Sequence, residues 1–291
     1  DGRSMAVLNM PFEGLPNKHP AIDSNTVGAW WFEGNANDTS GKGNHGTVTG
    51  ATLTTGKVGQ AYSFDGSDDV IDVASSSTLG IGTGGTLSAW VKKDQWKPAL
   101  DQGVVGDARL FSSNDAVYMT IHNSVGYHLR YGGTGQGGNI YVNYQGSDSW
   151  TAGSWHHLLA TWNYSGGITY VRLYADGSLV DSDSTTLSIS LASSAWKIGG
   201  DLGEGYHLNG TIDEVSIWNR SLSTSEIKSM FEDGLSVHQD AKDYTNFSNN
   251  GNVSDAIWNA TGGYDGKGAY DFAGKYHIRL PDSQSLNITS P

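Results

Sequence analysis

The stretch "LNGTIDEVSIWNRSLSTSEI" (residues 208–227) puts two structural signals back to back. Residues 211–218 read as a β-strand. The chain then turns at once into a helix start. Ser223 sits at the N-cap with Glu226 three residues later, the spacing of a capping box. Ile227, Met230 and Phe231 follow as an apolar stripe at helical spacing, and Gly234 is placed to close the helix as a C-terminal cap. A strand that hands over to a single short helix predicts an all-β domain with one helix at its end.

Working back from this point, strand signals recur at short intervals: 28–32, 47–53, 61–64, 70–73, 86–92, 108–112, 116–122, 127–131, 139–144, 155–162, 168–175, 178–181 and 195–198. Several alternate with period two. In "YVRLYADG" (residues 170–177), Val171, Leu173 and Ala175 share one face while Tyr170, Arg172 and Tyr174 share the other. "ADG" is a tight hairpin turn, because Asp-Gly tolerates positive φ. A composition of 40 Gly, 14 Tyr and 10 Trp suits short strands joined by tight turns.

The chain also repeats itself. "AYSFDG" (61–66) returns as "AYDFAG" (269–274), and Ile71, Val73, Leu79 and Ile81 align with Ile278, Leu280, Leu286 and Ile288. Upstream, "ANDTSGKGNHGTVTGATL" from Ala36 aligns without gaps on "AKDYTNFSNNGNVSDAIW" from Ala241. The first copy has "WWFEG" just before Ala36, but the matching place in the second copy reads "SVHQD". The missing strand resembles "VLNMPFEG" at residues 7–14. The economical reading is a nested one. A complete domain at 24–235 is inserted into a partial outer copy formed by 1–23 and 236–291, whose first strand is at 5–14 and which resumes at 241–291. Insertion is tolerated where a domain's own ends lie close together and the host offers an exposed loop. A loose linker or the tail of a preceding domain at 5–14 is the alternative. The outer copy breaks off at Pro291 after a few strands, so either the chain continues or another chain completes the sheet.

"DTSGKGNHGTVTG", "GKVGQAYSFDGSDDVIDV", "LSAWVK", "WHHLLATW", "LYADGSLV" and "LNGTIDEVSIWNRSLSTSEI" occur in that order. Together they resemble the laminin G-like jelly roll of the concanavalin A-like lectin/glucanase superfamily, over about 27–235. The resemblance implies an antiparallel jelly-roll β-sandwich whose first and last strands are adjacent. It also implies a structural calcium joining the first strand, an early loop and an Asp of the last strand. On this sequence that points to Asp213, with Glu33, Asp38 and Gly66. Ca2+ favours several hard oxygen donors, though Asp residues in turns equally serve to cap backbone N–H groups. In the outer copy Asp65 becomes Ala273, and Asp68 and Asp69 become Tyr276 and His277, which weakens any such site there.

Sugars are held by flat aromatic faces and a few oriented polar groups. The segment 122–150 is rich in Tyr, His, Asn and Gly. Alternation puts His128 with Arg130 on one face, and Tyr141 with Asn143 on one face. These four, with Trp96 in the loop "KKDQWKP", are the candidate ligand contacts, while Trp31, Trp90, Trp162 and Trp218 are expected in the core. Catalysis has less support. Glycoside hydrolysis needs two carboxyl groups facing one cleft, about 5–9.5 Å apart, whereas the adjacent pair in "TIDEV" is expected on opposite sheet faces. The two His of "WHHLL" lack metal-ligand spacing, and one of them is expected to be packed in the interior.

With 17 Lys+Arg against 30 Asp+Glu, the net charge is −13. Phosphate contacts need clustered Lys and Arg, so this balance argues against nucleic acid and is compatible with cations and glycans. There is no cysteine, hence no disulfide or thiolate chemistry. No apolar run approaches the roughly 20 residues that span a bilayer, so no membrane insertion is expected of this segment. The opening Asp1-Gly2-Arg3-Ser4 lacks a signal peptide's apolar core and reads as a processed chain or an excised fragment. Sequons stand at Asn37, Asn163, Asn209, Asn219, Asn246, Asn252, Asn259 and Asn287. They are either chance in a chain rich in Asn, Ser and Thr, or glycosylation sites of an exported protein. The expected function is a non-catalytic, calcium-stabilised recognition module, extracellular or on an archaeal or bacterial cell surface. Its partner would be a glycan, a surface protein or another copy of the chain. The competing readings are a structural subunit or spacer of a surface layer, fibre or appendage, and an accessory domain of a secreted glycoside hydrolase.

Overall fold

The computed structural model describes residues 19–93, 102–107, 115–122, 126–133, 138–188, 190–191, 195–200 and 207–235. In the C-terminal region it describes 240–241, 251–254, 257–259, 269–271 and 277–279. The expected strands at 5–14 and 108–112 lie outside these residues. One unit spans His19–Gly234, and the described strands from Asp240 onward belong to a second.

In the first unit the strands are β1 (Thr26–Trp30), β2 (Gly46–Thr49), β3 (Thr52–Thr55), β4 (Gln60–Asp65), β5 (Val70–Val73), β6 (Gly84–Lys92), β7 (Gln102–Asp107) and β8 (Asp115–His122). They continue with β9 (Gly126–Gly133), β10 (Gly138–Tyr144), β11 (Trp155–Ser165), β12 (Ile168–Ala175), β13 (Ser178–Thr185), β14 (Trp196–Ile198) and β15 (Asn209–Trp218), followed by the helix α1 (Thr224–Leu235). Two antiparallel sheets result. One runs β13-β12-β11-β6-β15-β4-β3 with β1 also paired to β15, and the other runs β10-β9-β8-β7-β14-β5-β2. Their inward side chains make one apolar core. Leu87, Ala89 and Val91 of β6 and Leu158, Ala160 and Trp162 of β11 meet Val117, Met119 and Ile121 of β8 and Leu129 and Tyr131 of β9. This is the all-β sandwich that the period-two pattern demands. Among the described residues, no helix is long and apolar enough to cross a membrane.

Sequence reading merged β2 and β3 into one strand at 47–53. The structure breaks it at Gly50, whose φ of +75° suits a turn that an L side chain rarely makes. β2 pairs with β5 in one sheet and β3 with β4 in the other, so the chain changes sheets at that glycine. β7 was missed because "QGVVGD" offers only two branched residues between glycines. Trp30, not Trp31, enters the core. Trp31 instead lies half-buried with His19 stacked on it, ring centroids 4.0 Å apart.

The last strand is irregular at its centre. β15 lies beside β6 along most of its length, but on its other edge β4 covers Asn209–Ile212 and β1 covers Val215–Trp218. The register shifts between Asp213 and Ser216, and Glu214 adopts φ +51°. Such a bulge breaks the alternation. Across it, alternation no longer assigns Asp213 and Glu214 to faces, and both are buried.

The capping box forms as the spacing predicts. Ser223 N–H donates to Glu226 Oε2 at 2.7 Å, and Glu226 N–H donates to Ser223 Oγ at 3.3 Å. Arg220 holds the Glu226 carboxyl down at about 2, with the Ser223 amide adding to the effect. Ile227 and Met230 cover Leu159, Tyr174 and Trp218 on the outer face of the eight-stranded sheet. Trp90 lies on that same side, its ring stacked on Phe231 at 5.8 Å. Gly234 does not stop the helix as expected, because α1 runs on through Leu235. Glycine is needed there for close approach, since a Cβ would sit 2.5 Å from the Trp90 ring. The chain entering β1 and the chain leaving β15 meet beside the start of this helix. Asn219 N–H donates to Asn25 C=O at 3.0 Å, and Arg220 pairs with Asp23 at 2.6 Å.

The second unit contains β16 (Asp240–Ala241), β17 (Gly251–Ser254), β18 (Ile257–Asn259), β19 (Ala269–Asp271) and β20 (His277–Arg279). β17 pairs with β20, setting Val253 opposite Ile278, and β18 pairs with β19, setting Trp258 opposite Tyr270. In the first unit Val48 lies opposite Ile71 and Leu53 opposite Tyr62. These are the positions that the sequence repeat equates.

Candidate functional site

On the seven-stranded sheet, the residues between the core positions form an outward row. β8 and β10 flank β9, and the register sets Tyr118 and Tyr141 on either side of Arg130. One step along, Thr120 and Asn143 flank His128. Four sequence candidates, His128, Arg130, Tyr141 and Asn143, thus meet on one face. Sequence reading missed Tyr118 and Thr120, although the alternation of Val117, Met119 and Ile121 with them in "DAVYMTIH" carries the signal. Trp96 lies outside the described residues.

Within the row the parts differ. Tyr141 is 47 % exposed and is its open platform. His128 is only 4 % exposed and forms the floor. Its Nε2 lies 3.1 Å from Thr120 Oγ1, and its ring meets Tyr141 edge-on at 5.9 Å and Tyr118 at 6.2 Å. The Arg130 guanidinium stands over the Tyr118 ring at 5.5 Å. Asn143 donates its backbone N–H to Asp181 Oδ2 of β13 at 2.8 Å, tying the outer edge of β10 to the other sheet. A flat, exposed ring beside a cation, an amide and hydroxyls is the combination that holds a sugar.

Three of the expected metal ligands accept backbone N–H groups. Asp213 accepts backbone N–H bonds from Lys57 (2.8 Å), Val58 (2.9 Å) and Glu214 (2.8 Å). Burial, and then the neighbouring Glu214, push its pKa up. Asp38 accepts from Ala29, Ser40 and Asn44 at 2.8–3.0 Å and organises the loop after β1. Glu33 Oε1 accepts from Gln60 N–H at 3.2 Å. Gly66, at φ +84°, turns the chain against Asn209. Among the described residues, the acidic group with cation-holding spacing is Asp65, Asp68 and Asp69, whose carboxylate oxygens lie within 4.8 Å of one another. Beside Asp213, Glu214 Oε1 lies 2.7 Å from His19 Nδ1, while Oε2 has no hydrogen-bond partner among the described residues. Burial raises the Glu214 pKa and lowers that of His19, with Glu33 adding to the rise. Of the sequons, Asn37, Asn163, Asn209 and Asn219 are exposed, Asn252 and Asn259 fall in β17 and β18, and Asn246 and Asn287 lie outside the described residues.

The family model described as the concanavalin A-like lectin/glucanases superfamily, in its laminin G form, matches residues 65–228. The chain belongs to this superfamily. A comparison with curated proteins finds no match. Among solved structures, domain 4 of the extracellular GH43 arabinanase AbnA from Geobacillus stearothermophilus, in complex with arabinotriose, is 19 % identical with a TM-score of 0.56. That match covers 71 % of this chain and 98 % of that domain. The ligand-binding domain of botulinum neurotoxin serotype D, in complex with N-acetylneuraminic acid, is 18 % identical with a TM-score of 0.59, over 81 % of this chain and 57 % of that one. The binding domain of Paraclostridial Mosquitocidal Protein 1 is 18 % identical with a TM-score of 0.52, over 71 % and 52 %. The chain thus spans about half the length of these toxin domains. At such identity the superfamily member and its neighbours share the fold.

Proposed function

We propose that the first unit is a non-catalytic carbohydrate-binding module acting outside the cell, with its ligand laid against Tyr141 on the outer face of the seven-stranded sheet. The exposed Tyr141 ring, set edge-on to His128 and one strand from Arg130, is the observation that carries this reading. Structural neighbours that hold arabinotriose and N-acetylneuraminic acid, one in an extracellular enzyme, support it. The non-catalytic part is supported by Asp213 and Glu214, which are buried and engaged with backbone amides and His19. A glycan array probed with the full chain tests the reading. Tyr141→Ala is expected to weaken the bound glycan about tenfold or more while leaving the melting temperature unchanged. A folded chain that binds no glycan, or a Tyr141→Ala variant that binds as well as wild type, overturns it, and the former favours the spacer role.

Calcium bracing belongs to the same reading, with Asp65, Asp68 and Asp69 as the holding group, since all three offer hard oxygen donors. Added Ca2+ is expected to raise the unfolding midpoint, EDTA to reverse it, and Asp68→Asn to abolish the response. No response in the wild type removes the metal from the reading. The same strand register in both units supports a second copy of the module, and the nested arrangement of 24–235 within it is read from the sequence repeat.

A further inference from the structure

On the opposite side of the sandwich, β12 and β13 form the outer edge of the eight-stranded sheet, away from the Tyr141 row. A cavity of about 260 Å3 opens there, lined by Tyr170, Val171, Arg172, Ser182, Asp183 and Ser184. Register places Tyr170 opposite Ser184 and Arg172 opposite Ser182, so the ring, the guanidinium and the two hydroxyls share the outward face. Tyr170 is 41 % exposed, and the Arg172 guanidinium lies 5.9 Å from its ring centre. Arg172 makes no hydrogen bond or ion pair among the described residues. Beside it on β11, opposite Arg172 in the ladder, the Thr161 hydroxyl is buried without a hydrogen-bond partner.

An uncommitted guanidinium is unusual on a chain of net charge −13. Alternation along β13 explains how it stays so. Asp181 and Asp183 leave the strand on the side away from Arg172. Asp181 is taken up by the backbone N–H groups of Asn143 and Ser182, and Asp183 Oδ1 accepts from Ser184 N–H at 2.7 Å. The outward face is therefore left with a cation, a ring and hydroxyls about 7 Å apart along the strand. A guanidinium fork matches a carboxylate with two parallel hydrogen bonds. A tyrosine face packs against the C–H side of a sugar ring, and serine hydroxyls pair with sugar hydroxyls. The cavity lies just below the size of a drug-sized pocket, which suits one or two sugar rings.

We propose that this edge is a second binding site, for sugars bearing a carboxylate, with Arg172 holding the acid group and Tyr170 the ring. It stands on residues separate from the Tyr141 row and does not depend on that row binding anything.

The test is a titration of the full-length 15N-labelled chain, followed by NMR. The probes are tri-galacturonate, sialyllactose and the carboxyl-reduced form of the first. Both carboxylated sugars share the chemistry, and comparing them shows whether the site takes uronates, sialosides or both. Shifts are expected at the Arg172 Nε–H and the Ser182 and Ser184 amides. Arg172→Gln is expected to weaken the preferred acid at least about tenfold, Arg172→Lys by less, and Tyr141→Ala not at all. The carboxyl-reduced sugar is expected to bind wild type and Arg172→Gln alike. Unchanged melting temperatures and unchanged amide positions around Tyr141 show that the variants fold. The proposal fails if neither acid shifts these amides at millimolar concentration, if Arg172→Gln binds as wild type does, or if all shifts fall on the Tyr141 row. Failure of the Tyr141 module reads out separately, on the glycan array with Tyr141→Ala.

Discussion

Asp213→Ala is expected to lower the unfolding free energy by about 3–5 kcal/mol. The carboxylate is fully buried at the bulge of β15 and is the shared acceptor for three backbone N–H groups, two of them in the 56–59 turn that precedes β4. Alanine leaves all three donors without an acceptor, and that cost exceeds the worth of any one hydrogen bond. Gly56 has no side chain because a Cβ there would lie 2.6 Å from Asp213 Oδ2, so the turn is moulded to this acid and cannot re-form around a water-filled gap without shifting. Asp213→Asn keeps the volume and one acceptor oxygen but turns an amide donor toward an N–H, and is expected to fall between the two. Urea unfolding measures the loss. A change under about 1 kcal/mol would show that the turn is held by something else. EDTA discriminates the two roles the residue could play: if Asp213 served a cation rather than amides, chelation of the wild type would reproduce the loss.

The second large effect is a pH dependence centred on His157. Its ring is buried against both Trp90 and Phe231, at 5.2 and 6.2 Å. Nε2 meets Ser88 Oγ at 2.8 Å, and Nδ1 has no hydrogen-bond partner among the described residues. Burial lowers its pKa to about 4, with nearby Lys57 adding to the fall and Asp176 opposing it. Above pH 6.5 the imidazole is neutral whether folded or not, and stability is full. Between pH 6.5 and about 4 the unfolded chain takes up a proton that the folded one refuses, so stability falls as pH falls. Below about 4 both states are charged and the effect levels off. The separation corresponds to about 3 kcal/mol. Asp213 and Glu214, whose pKa values are raised, act with the opposite sign, so the clean measurement is a difference. Subtracting the curve of His157→Gln from that of wild type is expected to isolate the slope between pH 6.5 and 4. An NMR titration placing the His157 midpoint near 6.5 would rule this out.

Much of the architecture was legible because it rests on local chemistry. Ser223 and Glu226 bond each other as their spacing demands, and the alternation of Val171 and Leu173 with Tyr170 and Arg172 assigns faces correctly. The candidate row was partly legible for the same reason: period two joins His128 to Arg130 and Tyr141 to Asn143. It could not align one strand with the next, and that ladder is what brings Tyr118 and Thr120 to the same place. Other failures share a cause. Whether Trp30 or Trp31 points inward, whether Gly50 divides a strand, and whether adjacent acids share a fate across a bulge all depend on backbone irregularity. One residue with positive φ resets the phase of everything after it, and nothing in "TIDEV" announces that Glu214 is such a residue.

The pairing of β1 with β15 sets how the first unit would respond to tension. The chain enters β1 and leaves β15 at the same end of that antiparallel pair, with Thr26 opposite Trp218 and the Asn25–Asn219 bond just outside it, and α1 then carries the C-terminal end to Trp90. Once α1 is drawn off the sheet, a load separating the ends meets the β1–β15 bonds one after another, in the manner of a zipper, and never all at once as it would if the chain entered and left at opposite ends of the pair. Each bond yields before the next is strained. The first unit is therefore expected to open under load bond by bond, starting from α1.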